Sequence, residues 1–153
     1  MRSKAVLKLI NFWPPFLGAG IKVKIADDFK SVESSMKLNF FNKNYVNTHF
    51  GGSLYAMTDP FFMLILMENI GRDYIVWDKA ARIEFKKPGK GRVKAHFEIA
   101  ADEIARIKKE ADENYKVEPE FVVNVVDEDG DVVAEVHKTL YVRRKDKTKE
   151  PKP

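Results

Sequence analysis

The chain has 153 residues, 44% of them apolar and 33% charged, which is typical of one globular domain with a hydrophobic core. It contains no cysteine, so disulfides, thiol catalysis and thiolate metal sites are excluded, and a cytoplasmic location is expected. No apolar run reaches the ~18 to 20 residues needed to cross a bilayer. The histidines, His49, His96 and His137, lack metal-ligand spacing, so we expect no metal.

The first third of the chain predicts a helix followed by a β-hairpin. Apolar residues recur at helical spacing over residues 2–12, and two prolines end that helix. Two alternating segments follow, "GIKVKIADDF" and "SVESSMKLNFF", which predict strands joined by a turn near Asp27–Lys30.

The longest apolar segment runs from Gly51 to Ile70. It is apolar on nearly every side, which predicts one helix over about residues 52–70, buried all round and stopped by Gly71.

Four strands and a surface helix are predicted after the central helix. In "YIVWDKAARIEFKKP", alternation places Trp77, Ala81, Ile83 and Phe85 on one face. "RVKAHFEIA" is the next strand, and "EFVVNVVDEDGDVVAEVHKTLYV" reads as two strands around "DEDGD". Between them, a helical insertion near 102–115 is capped by Asp102 and carries Ile104, Ile107 and Ala111 on its apolar face.

These elements predict an α+β fold, an antiparallel sheet of about six strands wrapped around one long central helix. We expect a single domain over residues 1–143, including the N-terminal helix. The charged segment 144–153 is expected to be a disordered tail.

The glycine pair Gly51-Gly52 opens the central helix. Backbone N–H groups in the first turn of a helix lack helical partners and can stabilise a developing oxyanion. Alternatively, the pair serves only the close packing of helix against sheet.

Asp59 and Pro60 interrupt the same helix, and two roles are open for the carboxylate. It can cap a helix that restarts at the proline, or it can be a general base whose proton affinity is raised by burial. Eight helical residues separate Gly51 from Asp59, which is about 12 Å along the axis. An acid and an oxyanion donor that far apart cannot share one thioester, so the catalytic role requires a second subunit.

The segment "NYVNTHFGGSLYAMTD" resembles the signature of phenylacetate-pathway-type acyl-CoA thioesterases of the hotdog fold. Over roughly residues 30–142, the chain also resembles a domain-of-unknown-function group often called tetrameric acyl-CoA thioesterases. The resemblance implies a homodimer, or a dimer of dimers, with sites at the subunit interface. Asn44 and the glycines would come from one subunit and Asp59 from the other.

Two positions depart from the family pattern. Phe50 stands where the family has a histidine, with His49 one place earlier, and Val76 stands where some relatives have a polar strand residue. Both departures favour the alternative function, a non-catalytic acyl-CoA or lipid-binding protein. Lys79, in "WDK", either points inward to pair with a carboxylate or lies at an exposed edge.

The leading functional prediction is hydrolysis of an acyl-CoA thioester without a cofactor, CoA being part of the substrate. Asp59 would activate water, Gly51 would hold the oxyanion, and Asn44 would orient substrate or water. The basic clusters lack interleaved aromatic residues, so nucleic-acid binding is not expected. The remaining predicted substrate-binding residues are His49, Phe50, Gly52 and the basic loop residues Lys86, Lys87, Lys90 and Arg92, which would meet the CoA phosphates.

Overall fold

The computed structural model describes Leu7 and residues 9–146. Most of the predicted N-terminal helix over residues 2–12 lies outside the described residues. In the part that is described, a short 3₁₀ turn spans Ile10–Phe12. The helices are α1 (Pro14–Ala19), α2 (Gly51–Ala56), α3 (Phe61–Ile70) and α4 (Ala101–Glu113). The strands are β1 (Ile21–Ile25), β2 (Ser31–Lys37), β3 (Tyr74–Phe85), β4 (Arg92–Glu98), β5 (Glu120–Val126) and β6 (Val132–Arg144).

The six strands form one antiparallel sheet in the order β1-β2-β4-β5-β6-β3. The predicted hairpin turn closes between β1 and β2, where the Ala26 N–H donates to the Ser31 carbonyl. The "DEDGD" turn closes between β5 and β6 and contains Gly130 at φ 85°. The sheet curls around α2 and α3, which confirms the hotdog fold that the resemblance implied.

The core lies between the concave face of the sheet and α3. Phe61 of α3 has its ring centroid 6.1 Å from that of Phe16 in α1 and 5.0 Å from that of Phe97 in β4. Phe62 stacks on Phe121 of β5 with a centroid distance of 4.8 Å. The prediction that the central helix is buried all round is wrong on one face, because Met67 is exposed.

The central helical segment is divided at residues 57–60, where the Asp59–Pro60 peptide bond is cis. The predicted helical cap is wrong: Pro60 occupies the N-cap position of α3, and no side chain of the described part of the chain caps that end. The break exposes backbone carbonyls that find other donors. Ser34 Oγ of β2 donates to the Met57 carbonyl at 2.5 Å, and the Asp59 N–H donates to the Ala56 carbonyl at 3.2 Å.

A β-bulge at Lys79 changes which residues of β3 face the core. The pairing with β6 shifts between Asp78 and Ala80, so the alternation reverses after the bulge. The predicted common face is therefore wrong for Trp77. It stacks on Tyr141 on the outer face, with ring centroids 4.2 Å apart. Lys79 is exposed and pairs with Glu118 at 2.7 Å, so it does not point inward.

The predicted surface helix is α4, which covers the sheet with Ile104, Ile107 and Ala111. Its N-cap residue is Ala100, and Asp102 lies inside the first turn, so the predicted cap is wrong. At the other end of the chain, β6 includes Arg144, and the Lys145 N–H donates to the Asp73 carbonyl. Residues 147–153 of the predicted disordered tail lie outside the described residues.

Phe61→Ala should lower the free energy of unfolding by about 3–5 kcal/mol, because it leaves a cavity between the helix, α1 and the sheet. Phe41→Ala is the matched control, since Phe41 is exposed and its loss should change stability by less than about 0.5 kcal/mol. Urea unfolding measures both values. Equal losses for the two variants would contradict the assignment of Phe61 to the core.

Candidate functional site

A cleft of about 560 Å³ opens beside the start of α2, between the loop that precedes α2 and the loop that follows β3. It brings together six of the residues predicted from the sequence, whereas Phe50, Gly52, Arg92 and Asp59 do not line it. The lining residues are Asn44, Val46, Thr48, His49, Gly51, Leu54, Phe85, Lys86, Lys87, Pro88, Gly89 and Lys90.

Asn44 organises the loop on one wall of this cleft. Its Oδ1 accepts the N–H groups of Val46 at 3.1 Å and Thr48 at 3.0 Å. Its Nδ2 donates to Thr48 Oγ1 at 2.9 Å and to the His49 carbonyl at 3.3 Å. The amide is thus engaged within its own loop, and the predicted role in orienting substrate or water stays a prediction.

His49 joins this loop to the basic loop after β3. Its side chain is buried, its backbone N–H donates to the Gly89 carbonyl at 2.9 Å, and its Nε2 lies 3.0 Å from the Gly91 carbonyl. Burial lowers the pKa of His49, although the bond to Gly91 opposes the shift. A neutral ring that donates from Nε2 leaves Nδ1 as an acceptor, and Nδ1 is buried without a hydrogen-bond partner among the described residues.

Both glycines at the start of α2 allow an aromatic ring to approach closely. A Cβ at Gly51 would lie 2.9 Å from Cζ of Phe85, and one at Gly52 would lie 2.5 Å from Cε1 of Phe50. Gly51 thus lies against the sheet, as the packing role predicts, whereas Gly52 lies against the N-cap residue of its own helix. This packing is compatible with the oxyanion role considered from the sequence. The first hydrogen bond of the helix is donated by the Ser53 N–H to the Phe50 carbonyl. The N–H groups of Gly51 and Gly52 precede that bond.

The basic loop contributes its charges unequally. Lys87 Nζ lies 2.7 Å from both Asp127 and Asp131, and Lys86 Nζ lies 2.6 Å from Glu84. The hydrogen bonds with the two aspartates hold the pKa of Lys87 well above its usual range. Lys90 lines the cleft without an acidic partner of this kind among the described residues, so it is the lysine best placed to meet an anion.

Asp59 does not line this cleft and lies instead on the concave side of the sheet, near β3 and β6. Its Oδ1 accepts a hydrogen bond from Lys138 Nζ at 2.8 Å, while 42% of its side chain remains exposed. Asp59 is therefore less buried than the sequence predicted, and it is held by an ion pair.

Sequence reasoning missed Lys138, the buried lysine that pairs with Asp59. Its side chain has 0% exposure, and its Nζ also lies 3.1 Å from Asp78 Oδ1 and 3.2 Å from the Tyr55 hydroxyl. A signal was present in β6, where Val136, Lys138 and Leu140 alternate on the inward face. A lysine in that register must find a counter-charge.

The shared environment shifts the pKa of two of these groups. Burial raises the pKa of Asp78; the Lys138 ammonium opposes this, and the nearby Asp59 adds to it. Burial acts to lower the pKa of Lys138, but the hydrogen bond to Asp59 and the charge of Asp78 outweigh it. The pKa of Lys138 therefore lies above its ordinary value, and the lysine stays charged.

The outer face of the sheet carries a separate acidic group. Glu84, Glu135 and His137 place their ligand atoms within 4.8 Å of one another. Lys86 and Arg82 already pair with Glu84, and His137 Nε2 lies 2.7 Å from Glu135. These side chains are thus engaged with one another and with neighbouring cations, and the expectation that the protein uses no metal stays a prediction.

A second groove, of about 840 Å³, separates the exposed face of α3 from the start of β3, and Met63, Leu64, Met67 and Ile75 are among its apolar lining residues. It lies beside the edge of the sheet, because β3 is the last strand in the sheet order and pairs only with β6 within residues 9–146. Among the described residues, no helix is long and apolar enough to cross a membrane.

Several solved structures share this fold at low sequence identity. A Pseudomonas aeruginosa protein of unknown function, PA5026, described as a probable thioesterase, is 20% identical with a TM-score of 0.78, covering 94% of this chain and 97% of that one. The Haemophilus influenzae thioesterase HI1161 is 13% identical with a TM-score of 0.65, covering 94% and 92%. A single-residue mutant of the phenylacetic acid degradation protein PaaI from Thermus thermophilus is 22% identical with a TM-score of 0.56, covering 84% and 97%.

No protein with a curated description matches the chain. A family model matches residues 2–142, nearly the whole sequence. The six-stranded antiparallel sheet curled around a divided central helix is the hotdog fold, which the chain shares with these solved structures. The protein belongs to the family described as domain of unknown function DUF4442.

Proposed function

We propose that the protein hydrolyses an acyl-CoA thioester at a site shared between two subunits. One observation carries the proposal: Asp59, placed at the helix break, presents a partly exposed carboxylate whose inner oxygen is fixed by Lys138. A partly exposed carboxylate that is held in a defined direction can reach a water molecule, which general-base catalysis requires.

The proposed reaction uses two groups, the carboxylate of Asp59 at the helix break and the N–H of Gly51 at the start of α2. Asp59 takes a proton from water, and the resulting hydroxide oxygen bonds to the thioester carbonyl carbon. The Gly51 N–H of the other subunit donates to the oxyanion that forms. When the intermediate collapses, the carbon–sulfur bond breaks, and the CoA thiolate takes the proton that Asp59 accepted.

The proposal uses two subunits, since Asp59 does not line the cleft that contains Gly51 of the same chain. The surface offers a place for the second copy. The free edge of β3 exposes Ala80 and Ala81, and the apolar groove beside α3 adjoins it. An unpaired strand edge next to exposed apolar surface is a typical site of association.

The cleft beside α2 suits the phosphate-bearing part of CoA. Lys90 supplies a charge that no described acidic side chain neutralises, and Lys86 adds a second, partly engaged one. Lys87 instead ties the basic loop to the turn between β5 and β6. Arg92 lies on β4, beyond the cleft lining, so its predicted contact with CoA requires a substrate that extends past the cleft.

The alternative is a protein that binds acyl-CoA or another lipid without hydrolysing it. Val76 is buried in the core and Phe50 is exposed at the N-cap of α2, so neither supplies a polar group to the site. The amide of Asn44 is engaged within its loop. Under this alternative, Asp59 would be a structural counter-ion of Lys138.

Asp59→Asn should lower kcat for acyl-CoA hydrolysis at least about a hundredfold, because it removes the base and keeps the shape. A panel of acyl-CoA substrates, assayed by thiol release, gives the measurement. A folded variant with the wild-type rate would exclude the general-base role of Asp59.

Subunit mixing tests the shared site directly. Gly51→Pro removes the proposed oxyanion donor at a position where proline suits the helix start, and Gly51→Ala is its control because it adds the same Cβ but keeps the N–H. Mixing inactive Asp59→Asn with inactive Gly51→Pro subunits should restore about a quarter of the wild-type activity, since half the dimers carry one intact site. No recovery after verified subunit exchange would contradict a shared site.

Lys90→Ala should raise KM for acyl-CoA about two- to fivefold at low salt, and less at high salt, because exposed charges are screened. Lys94→Ala is the matched control, since Lys94 is exposed on β4 and does not line the cleft. Equal KM values for the two variants at low salt would exclude a contact between Lys90 and the CoA phosphates.

A further inference from the structure

We propose that Lys138 and Asp78 form a buried positioning pair for Asp59, in which Lys138 fixes the working carboxylate and Asp78 remains as the standing counter-ion of the lysine. The inference rests on the proposed role of Asp59 as the base. It assigns functions to two residues, on β3 and β6, that lie outside the glycine-containing signature.

Three partners surround the ammonium group of Lys138. The Lys138 Nζ donates hydrogen bonds to Asp59 Oδ1 at 2.8 Å and to the Tyr55 hydroxyl at 3.2 Å, and it forms an ion pair with Asp78 Oδ1 at 3.1 Å. The ammonium also lies 5.2 Å from the centroid of the Tyr55 ring. These contacts come from α2, the helix break and β3, so the lysine is fixed from three sides.

Exposure decreases inward through the three charged groups. The side chain of Asp59 is 42% exposed, that of Asp78 is 21% exposed, and that of Lys138 is fully buried. Water and substrate can therefore reach Asp59 while its inner oxygen stays bonded to the lysine. Asp78 is more buried than Asp59 and is shielded from most of the solvent.

Charge balance explains why one lysine faces two carboxylates. During the reaction Asp59 takes a proton and becomes neutral, which would leave a single-partner lysine as an uncompensated buried charge. Asp78 keeps its charge at that moment and continues to neutralise Lys138. Before the proton moves, the one ammonium and the two carboxylates together carry a net negative charge.

Local irregularities of the backbone bring these groups together. The helix break places Asp59 outside the helical ladder, and the bulge at Lys79 allows both Asp78 and Ala81 to face inward. Lys138 lies opposite Ala81 on β3 and Phe121 on β5, neither of which titrates. Among the described residues, the titratable groups facing Lys138 are Tyr55, Asp59 and Asp78.

Two substitutions should move the acidic limb of the kcat/KM–pH profile in opposite directions. Asp78→Asn keeps an oxygen acceptor but removes the second negative charge, so the limb should shift to lower pH by on the order of one unit. Lys138→Met removes the cation and leaves two neighbouring carboxylates, so the limb should shift to higher pH by a similar amount. Lys138→Arg, which keeps the charge, should restore most of the wild-type position.

A purely structural role would lower the melting temperature of both variants without opposite shifts of the acidic limb of the kcat/KM–pH profile, and that result would overturn the inference.

Carboxyl ¹³C NMR titration of Asp59 in the wild type and in Asp78→Asn gives a readout that needs no substrate. Should Lys138→Met fail to fold, a downward shift in Asp78→Asn still supports the pair, and an unchanged titration contradicts it. If no thioester is hydrolysed but the NMR titrations shift as expected, the proposed function fails while the electrostatic pairing stands.

Discussion

A lysine ammonium with no exposed surface has to be neutralised where it lies, and this constraint links the main irregularities of the structure. Lys138 points inward from β6, so its counter-ions have to come from elements packed over the same spot. Asp78 reaches it because the alternation of β3 places it inward just before the bulge, and Asp59 reaches it because the helix is interrupted. Removing one partner of a buried pair typically costs about 3–5 kcal/mol, and the partial exposure of Asp59 reduces its share.

The interruption at residues 57–60 therefore has a structural consequence that a continuous helix could not give. In a continuous helix the residue-59 side chain would follow the helical repeat and share its face with the core. At the break, neighbouring groups satisfy the backbone instead, including the Ser34 hydroxyl on the Met57 carbonyl and the Thr58 hydroxyl on the Tyr55 carbonyl. The carboxylate is then directed toward β6 and stays accessible from outside.

The two halves of the proposed site are built by different means. The cleft beside α2 depends on close approach: Phe85 contacts the backbone at Gly51, and His49 joins the two loops through Gly89 and Gly91. The acidic group depends on charge compensation inside the sheet. Each half is held by contacts within one chain.

The sequence by itself determined the order of the elements, the hairpins and the central helical segment, because alternation and helical periodicity are local properties. It also marked Asp59 as unusual, since a carboxylate in an apolar run requires a partner. The partner could not be identified from the sequence, because Lys138 lies 79 residues away and meets Asp59 only through tertiary packing. Likewise, the sequence predicted that all basic residues of the loop would bind phosphate. In the fold, Asp127 and Asp131 pair with Lys87.

Only the tertiary structure decided the faces of β3 and the length of the helix. A bulge depends on the pairing with β6, so alternation alone misplaced Trp77. The interruption of the helix at residues 57–60 depends on whether neighbouring groups can satisfy the freed backbone. Local sequence sets which conformations each segment prefers, whereas contacts between distant segments decide which side chains meet, and it is those contacts that bring Lys138, Asp59 and Asp78 together.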